Sequence, residues 1–347
     1  MWYLKSCGTE RKIDMKKGLK IVSVICAALV FCAVAAGLTG VFGLAGYHYA
    51  NAEKYTAGPT EIAGPVKNLD VDWTSGEVKI AYHSGNTVSV QETANKDLDP
   101  DTRLRWWLDG DTLRIRYEKE GFRLHWNLQK TLTVTLPEGA ALENVSLAVT
   151  SGKLTVPALT ADTLALSATS GRMDIDAAAR RITAGATSGD IVLRISGNAD
   201  EITAGATSGS IRLEAPAGCG AVHVSTTSGS IRAAVKETED FTAASTSGGI
   251  EAVLGRAQAV KIGSTSGRID LKAAAFDSLK IGATSGAVTV ALPAELGFTA
   301  RLNRTSGGLD YDLPLVKQGD VYVCGDGSAS VEIGTTSGSI RLTALTE

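Results

Sequence analysis

The chain is poor in the residues on which most catalytic, metal-binding and disulfide-stabilised proteins depend. Its 347 residues include 5% aromatic residues, 8 prolines, 5 cysteines and 4 histidines. The histidines are scattered and no cysteine–histidine group has zinc spacing, so we expect no metal and no cofactor. From residue 21 onward, 35 acidic residues outnumber 28 basic ones. Nucleic acid is therefore not expected as a partner, because the basic stripe that phosphates require is missing.

The most regular feature is the tripeptide Thr-Ser-Gly, which occurs eleven times. Nine copies follow one another at intervals of 18 to 21 residues, and two copies lie outside that array. The copies begin at Thr74, Thr150, Thr169, Thr187, Thr207, Thr227, Thr246, Thr265, Thr284, Thr305 and Thr336. A constant period near 19 residues is typical of a solenoid.

Apolar and polar residues alternate on both sides of each tripeptide. Examples are the stretches 182–186 before one copy and 211–213 after another. A period of two predicts β-strands, so each repeat holds two short strands with Thr-Ser-Gly as the corner between them. Glycine suits such a corner because it accepts a positive φ without a Cβ penalty.

One rung of this kind cannot bury its apolar face alone, so the rungs must stack, about 4.8 Å apart. Stacking predicts a thin interior of alanines and one aliphatic column, formed by Ile191, Ile211, Ile231, Ile250, Ile269 and Val288. We therefore predict an all-β protein, a single-stranded parallel β-solenoid, right-handed as most parallel crossovers are. The alternative is an antiparallel β-sandwich, which does not require identical corners at a fixed period.

Residues 21–47 contain no charged side chain. A helix of this length covers about 40 Å, enough to cross the ~30 Å hydrocarbon layer. Six Lys and Arg residues precede it in a basic segment, residues 1–20. The positive-inside bias then predicts a cytoplasmic N-terminus, one transmembrane helix and an extracellular C-terminal domain on a bacterial cell membrane. A cleavable signal peptide ending at Ala50-Asn51-Ala52 and a lipoprotein site at Cys32 are the alternatives.

Composition divides the rest of the chain into four parts. The stretch after the helix is rich in small residues and predicts a linker that lifts the domain off the membrane. The next part alternates like hairpin strands, and a solenoid needs such a cap to cover its open first edge. The parts are a linker over 48–65, an N-terminal β cap over 66–142, the solenoid over 143–312, and a β excursion with a terminal rung over 313–347.

Four of the five tryptophans fall in the predicted cap. They are Trp73, Trp106, Trp107 and Trp126. Packing of the cap accounts for them. A glycan-stacking platform built on Trp106 and Trp107 is the alternative, because neighbouring residues of a strand point to opposite faces and at least one would be exposed.

The outward residues before the corners form columns of threonine beside columns of Gly, Ser or Ala. Over six rungs they would give a flat, hydroxyl-rich face about 29 Å long. We predict that this contact face docks a glycan strand, another solenoid or an envelope protein. Its candidate residues are Thr183, Thr187, Thr203, Thr207, Thr227, Thr242, Thr246, Thr265 and Thr284. The alternative is an ordinary exposed face in which threonine is present for its β propensity.

Catalysis has little support in the sequence. A tripeptide present eleven times is architecture rather than a nucleophile. Glu251 and Asp270 would be neighbours about 5 Å apart on the stack, a separation that retaining glycosidases use. Arg232 and Arg268 lie beside them, so an exposed ladder of charges explains the same residues.

Three features together resemble a known family. They are the stretch 132–137 (LTVTLP), the repeated Ser-Gly-x-aliphatic corners and the final 335–340 (TTSGSI). The chain resembles the bacterial putative-adhesin family of membrane-anchored β-strand-repeat proteins, a domain family of unknown function. The resemblance implies a β-helix outside a bacterial envelope, connected with adhesion or envelope stress, and it brings no catalytic residues.

We therefore predict a non-enzymatic, membrane-anchored solenoid that presents a repeat surface for adhesion or cell-envelope contact. A polysaccharide-active β-helix enzyme is one alternative. A structural or sensory partner in an envelope-stress system is the other.

Overall fold

A computed structural model describes residues 47–123 and 126–345. In these residues the chain forms a 22-stranded sheet, in which most strands pair in parallel, and one 3-10 turn at Ala52–Lys54. No helix in these ranges has the length and apolarity needed to cross a membrane. The transmembrane helix predicted over 21–47 lies outside the described residues, apart from Tyr47, and stays a prediction.

The strands fall into three groups along the chain. Those of the N-terminal end are β1 (Thr56–Ala57), β2 (Thr60–Ile62), β3 (Asn68–His83), β4 (Val88–Ala94), β5 (Arg105–Asp109), β6 (Thr112–Arg116) and β7 (Lys130–Pro137). Those of the body are β8 (Ala141–Ser188), β9 (Ile191–Ile195), β10 (Ala199–Ala206), β11 (Ile211–Ala215), β12 (Cys219–Thr226), β13 (Ile231–Ser245), β14 (Ile250–Ser264), β15 (Ile269–Ala283) and β16 (Val288–Leu292). Those of the C-terminal end are β17 (Phe298–Arg304), β18 (Leu309–Tyr311), β19 (Val316–Gln318), β20 (Val321–Cys324), β21 (Ala329–Thr335) and β22 (Ile340–Ala344).

Each strand of the body pairs in parallel with the equivalent stretch one rung away. Ile211 pairs with Ile191 on one side and with Ile231 on the other. The column continues through β14, β15 and β16, and all its members are buried. The predicted parallel solenoid with an internal aliphatic column is confirmed, and the described residues do not form the alternative antiparallel sandwich. The interior is thin, as Ala184 and Ala204 show by their complete burial. Its right-handedness stays a prediction.

The Thr-Ser-Gly corners stack directly on one another. The Ser208 amide donates to the Thr187 carbonyl at 2.9 Å, and the same bond recurs from rung to rung. A Cβ atom on Gly209 would stand 1.7 Å from the Gly189 carbonyl oxygen. Only three corner glycines have a positive φ, those of the Thr74, Thr150 and Thr305 copies. Close approach of neighbouring backbones, rather than the positive φ expected from the sequence, therefore requires glycine at most corners.

The last rung of the chain is not the last rung of the stack. Strand β21 pairs with β15 on one side and with β17 on the other, and β22 likewise lies between β16 and β18. The Ser337 amide donates to the Thr284 carbonyl, and the Ser306 amide donates to the Thr336 carbonyl, both at 2.8 Å. The Thr336 rung is thus inserted between two rungs that are consecutive in sequence. Strands β20 and β19 then add to β17 as an antiparallel hairpin.

The N-terminal end is built in a similar way. Strand β3, which contains the Thr74 corner, pairs in parallel with β8 on one side and with β6 and β7 on the other. The stack therefore begins inside the region 66–142 that the sequence assigned to the cap. Antiparallel strands complete this end, with β5 and β1 on one face and β4 and β2 on the other. They cover the open edge that a solenoid must protect.

The segment predicted as a linker, residues 48–65, is instead part of the fold. Its strands β1 and β2 pair with the cap, and Tyr55 and Ile62 are buried. An aromatic and an aliphatic side chain that pack on the cap hold this stretch in place, so it is not a free spacer. The prediction failed because small residues and prolines are common both in linkers and in short edge strands.

Candidate contact face and capped end

The strands that precede the corners carry the first threonine column. Thr183 pairs with Thr203, which pairs with His223, and the column continues through Thr242 to Lys261. Thr183, Thr203 and Thr242 are half-buried, whereas Lys261 is exposed. The structure thus brings the predicted residues together in one line, with His223 and Lys261 interrupting the threonines.

The corners carry a second column parallel to the first. Four of its threonines are exposed and two are half-buried. In chain order the column contains Thr187, Thr207, Thr227, Thr246, Thr265 and Thr284. Hydrogen bonds from each corner serine to the threonine carbonyl one rung before it hold the column at a constant spacing.

A furrow of small residues separates the two columns. Gly185, Gly205, Ser225, Ala244 and Gly263 lie on the outward side of their strands, yet all are buried. Residues this small leave the flanking threonines standing above them on both sides. The contact face is therefore a shallow furrow whose rims carry mostly methyl and hydroxyl groups, with His223 and Lys261 in one rim. It offers van der Waals contact and weak hydrogen bonds, and it holds no acid–base or nucleophilic constellation.

The two tryptophans proposed for glycan stacking lie on β5 and point to opposite faces, as their adjacency predicts. Trp106 packs against the hydrophobic core. The centres of the Trp107 and Tyr55 rings lie 5.7 Å apart. The Lys54 ammonium lies 4.8 Å from the centre of the Trp107 ring. These contacts favour the packing role in the cap that the sequence also allowed.

The carboxylates considered for catalysis are partners across adjacent rungs. Glu251 pairs in register with Asp270. Arg232 donates to Glu251 at 3.2 Å and Arg268 donates to Asp270 at 2.8 Å. Each carboxylate therefore has its own guanidinium on the exposed surface, which is the arrangement of a charge ladder.

A set of buried hydroxyls that support the corners was not predicted from the sequence. In four rungs the residue just before Thr-Ser-Gly is Ser or Thr, points inward and is buried. The Ser264 hydroxyl accepts a hydrogen bond from the Gly267 amide at 2.8 Å, and Ser245 does the same for Gly248. Thr226 and Thr335 complete the set. The signal was present in the sequence, because these rungs read Ser/Thr-Thr-Ser-Gly where others read Ala-Thr-Ser-Gly.

A buried ion pair at the capped end was also missed. The Lys130 ammonium is fully buried and lies 2.8 Å from the Glu92 carboxylate. It also donates to the Thr102 and Tyr117 carbonyls and lies 4.9 Å from the centre of the Trp73 ring. Burial lowers the pKa of Lys130, although the neighbouring Glu92 carboxylate acts in the opposite direction. The pair joins β7, β4 and the first rung, and no local pattern indicates it.

Within residues 47–123 and 126–345, no cluster of His, Cys, Asp or Glu could hold a metal ion. The fold, the corners and the capped ends together define a class, the all-β solenoid built from short stacked repeats. A family profile described as Toastrack DUF4097 matches residues 66–343. The chain belongs to this family, whose function is unknown.

Several solved structures are similar to the chain over most of its length. A putative adhesin from Parabacteroides distasonis is 12% identical, with 84% of this chain and 97% of that chain covered and a TM-score of 0.44. A putative adhesin from Parabacteroides merdae is 10% identical, with 84% and 97% covered and a TM-score of 0.43. One from Bacteroides fragilis is 14% identical, with 82% and 95% covered and a TM-score of 0.34. A search of curated proteins gives no match.

Proposed function

We propose that this chain is a non-enzymatic solenoid, anchored in a bacterial cell membrane, that presents its contact face outside the cell for adhesion or cell-envelope contact. The observation that carries the proposal is the furrow between the two threonine columns. Five of its residues are small and buried, and the rims on both sides keep one spacing over the same rungs. A long surface of mostly uncharged residues, with His223 and Lys261 in one of its rims, suits an extended partner such as a glycan strand or the edge of an envelope protein.

The chemistry of the face supports binding rather than turnover. Threonine rims offer hydroxyls and methyl groups at a period of about 4.8 Å, the spacing of parallel strands. A partner that lies along the furrow would make a similar small contact at every rung where threonine occupies both rims. Many weak contacts repeated along a rigid line add up to a useful affinity without any single strong site.

A triple substitution on the rim tests the contact face. Thr187→Lys, Thr207→Lys and Thr227→Lys place long cations along the furrow in the full chain. We expect the variant to lose binding to isolated cell-wall sacculi and to whole cells, with an unchanged circular dichroism spectrum. Retention of both kinds of binding by the variant would contradict the proposal.

A control on another face separates a loss of the furrow from a gain of charge. Ala234, Val253 and Ala291 point outward from the strands after the corner, in one column across rungs that also contains Lys272. Replacing these three with lysine adds the same charge elsewhere. The control variant should bind as the unmodified chain does.

The anchor is a separate part of the proposal and needs its own test. The uncharged stretch 21–47, preceded by six basic residues, supports a retained single-pass helix. Full-length protein expressed in bacteria should remain in the membrane after alkaline carbonate washing, and externally added protease should degrade the repeats. Release of the intact chain by the wash would contradict the anchor.

The enzyme alternative predicts glycan cleavage that depends on Glu251. We expect no cleavage of neutral or uronate-containing glycans, because the Glu251 and Asp270 carboxylates each form an ion pair with an arginine. Cleavage that disappears in a Glu251→Gln variant would overturn this expectation.

A further inference from the structure

The chain enters the described fold at a fixed point on the cap. Tyr47 is the last residue of the uncharged stretch 21–47, and its backbone pairs with that of Gly121. The Tyr47 amide donates to the Gly121 carbonyl at 2.9 Å, and the Gly121 amide donates back at 2.8 Å. The Tyr47 hydroxyl also donates to the Asp72 carbonyl in the first rung at 3.4 Å.

The residues after Tyr47 pack on the cap, so no flexible linker separates Tyr47 from the solenoid. The Tyr49 and Tyr55 rings lie 4.8 Å apart, and the Tyr49 hydroxyl donates to the Glu118 carbonyl at 3.2 Å. The Tyr55 ring in turn packs against Trp107. Because no free spacer follows Tyr47, a membrane helix that ends just before it would hold the capped end directly against the bilayer.

Two strongly exposed aromatic side chains lie beside this entry point. Phe122 is 66% exposed and Trp126 is 83% exposed. Phe122 is the next residue after Gly121. Trp126 follows Gly121 by five residues, so the two lie within about 18 Å of each other even if the chain between them were fully extended. Among the described residues these are the two most exposed large hydrophobic side chains. We call Phe122 and Trp126 the cap aromatics.

The backbone on either side of Trp126 is held by the cap. The Lys96 ammonium donates to the Trp126 carbonyl at 2.6 Å. The Asn95 amide group donates to the Asn127 carbonyl at 2.8 Å, and its oxygen accepts from the Gln129 amide at 3.0 Å. The backbone of Trp126 is thus held in place, and its exposed indole is not covered by any other part of the described fold.

We propose that the cap aromatics are a second membrane contact, seated at the lipid–water interface beside the anchor helix, so that the solenoid stands cap-down on the bilayer. This inference rests on the proposed anchor. The bilayer is the occupant that the entry point favours, because the uncharged stretch ends at Tyr47 and Tyr47 is bonded to the residue before Phe122. Tryptophan and other aromatic rings prefer the interface, where an apolar body and a polar edge are both accommodated.

A site-specific fluorescent probe tests the contact in the full chain. All five cysteines are replaced by alanine, and one cysteine is introduced as Trp126→Cys or as Val316→Cys. Val316 is the matched control, since it is 61% exposed and belongs to the hairpin at the other end of the stack. Each protein carries an environment-sensitive dye and is reconstituted into phosphatidylethanolamine–phosphatidylglycerol vesicles that contain a nitroxide-labelled lipid.

We expect the dye at position 126 to shift to shorter wavelength and to be quenched several times more strongly than the dye at position 316. Adding Phe122→Ser should weaken quenching at position 126 without changing circular dichroism or flotation of the vesicles with protein. That variant distinguishes insertion of the cap aromatics from mere proximity to lipid.

The remaining outcomes separate this inference from the anchor. Protein that floats with vesicles but shows equal, water-like emission at both positions overturns the second contact and leaves the anchor intact. Equal quenching at both positions means that the solenoid lies flat, which also overturns the cap-down arrangement. Protein that does not float at all removes the anchor and the inference together.

Discussion

The carbonyl oxygen of Gly229 lies 1.6 Å from the point where a Cβ atom on Gly248 would stand. A separation of that size is less than half of a van der Waals contact, so any side chain at position 248 would force the two rungs apart. The corner of the preceding rung shows the same relationship, since a Cβ atom on Gly229 would stand 1.8 Å from the Gly209 carbonyl oxygen. The corner glycines thus set how closely the rungs stack.

Alanine at this corner should be strongly destabilising. We expect Gly248→Ala to cost about 3 kcal/mol, the upper end of the usual cost of overpacking in a rigid core. The measurement is the midpoint and slope of urea unfolding. Gly249→Ala is the matched control, because its Cβ would meet nothing closer than 3.7 Å and its φ is not positive. That control should be neutral or slightly stabilising, by up to about 1 kcal/mol. Equal losses in the two variants would contradict the stacking argument.

The inward hydroxyls before the corners predict a smaller effect. Ser264→Ala removes the acceptor for the Gly267 amide and should cost about 1 kcal/mol. The fold tolerates alanine at this position, since Ala283 occupies it in the next rung. Ser266→Ala, two residues on and exposed, is the control and should leave the unfolding midpoint unchanged. A larger loss at Ser266 than at Ser264 would show that the hydroxyl bond is not what matters.

The buried pair at the capped end should behave as a unit. Lys130→Met leaves the Glu92 carboxylate buried without its cation, which typically costs about 3–5 kcal/mol. Glu92→Leu with Lys130→Met removes both charges and should recover much of that loss. The quantity to measure is the coupling free energy of the double-mutant cycle. A coupling near zero would mean that the two charges do not act together.

Alkaline pH should loosen the capped end. Burial raises the pKa of five tyrosines there, Tyr47, Tyr49, Tyr55, Tyr82 and Tyr117. For Tyr49 the pKa rises to about 12. The folded chain then keeps phenol protons that the unfolded chain has lost above about pH 10. This stability is present below about pH 10 and is lost as the pH rises through the raised values. Lys130, whose pKa is lowered, acts with the opposite sign.

Urea unfolding as a function of pH, followed together with tyrosinate absorbance, measures this loss. The Tyr49→Phe variant removes one of the titrating groups and is the comparison. Its stability should fall less steeply between about pH 10 and 12. The same slope in both proteins would show that Tyr49 does not contribute.

The repeats themselves could be predicted from the sequence, because the residues of each rung indicate its two strands and its corner. Alternation around Ile211 or Ile250 specifies strands, and the repeated corner specifies a common register, so the column of internal aliphatics followed directly. The rims of the contact face could be predicted from the same alternation. Thr187 and Thr207 each follow a buried residue directly in sequence, so they point to the opposite, outward side of the strand. What parity did not indicate is that Ser225, which points outward, is buried.

The period and the alternation determined the solenoid, because a strand needs only its own residues to show which side is apolar. The tertiary structure decided the order of rungs at both ends. The Thr305 and Thr336 corners carry the same local pattern, and either could have stacked on Thr284. It also decided that residues 48–65 pack on the cap and that Lys130 meets Glu92. These outcomes depend on which exposed edges meet, and edge pairing is a contact between distant segments that no local pattern encodes.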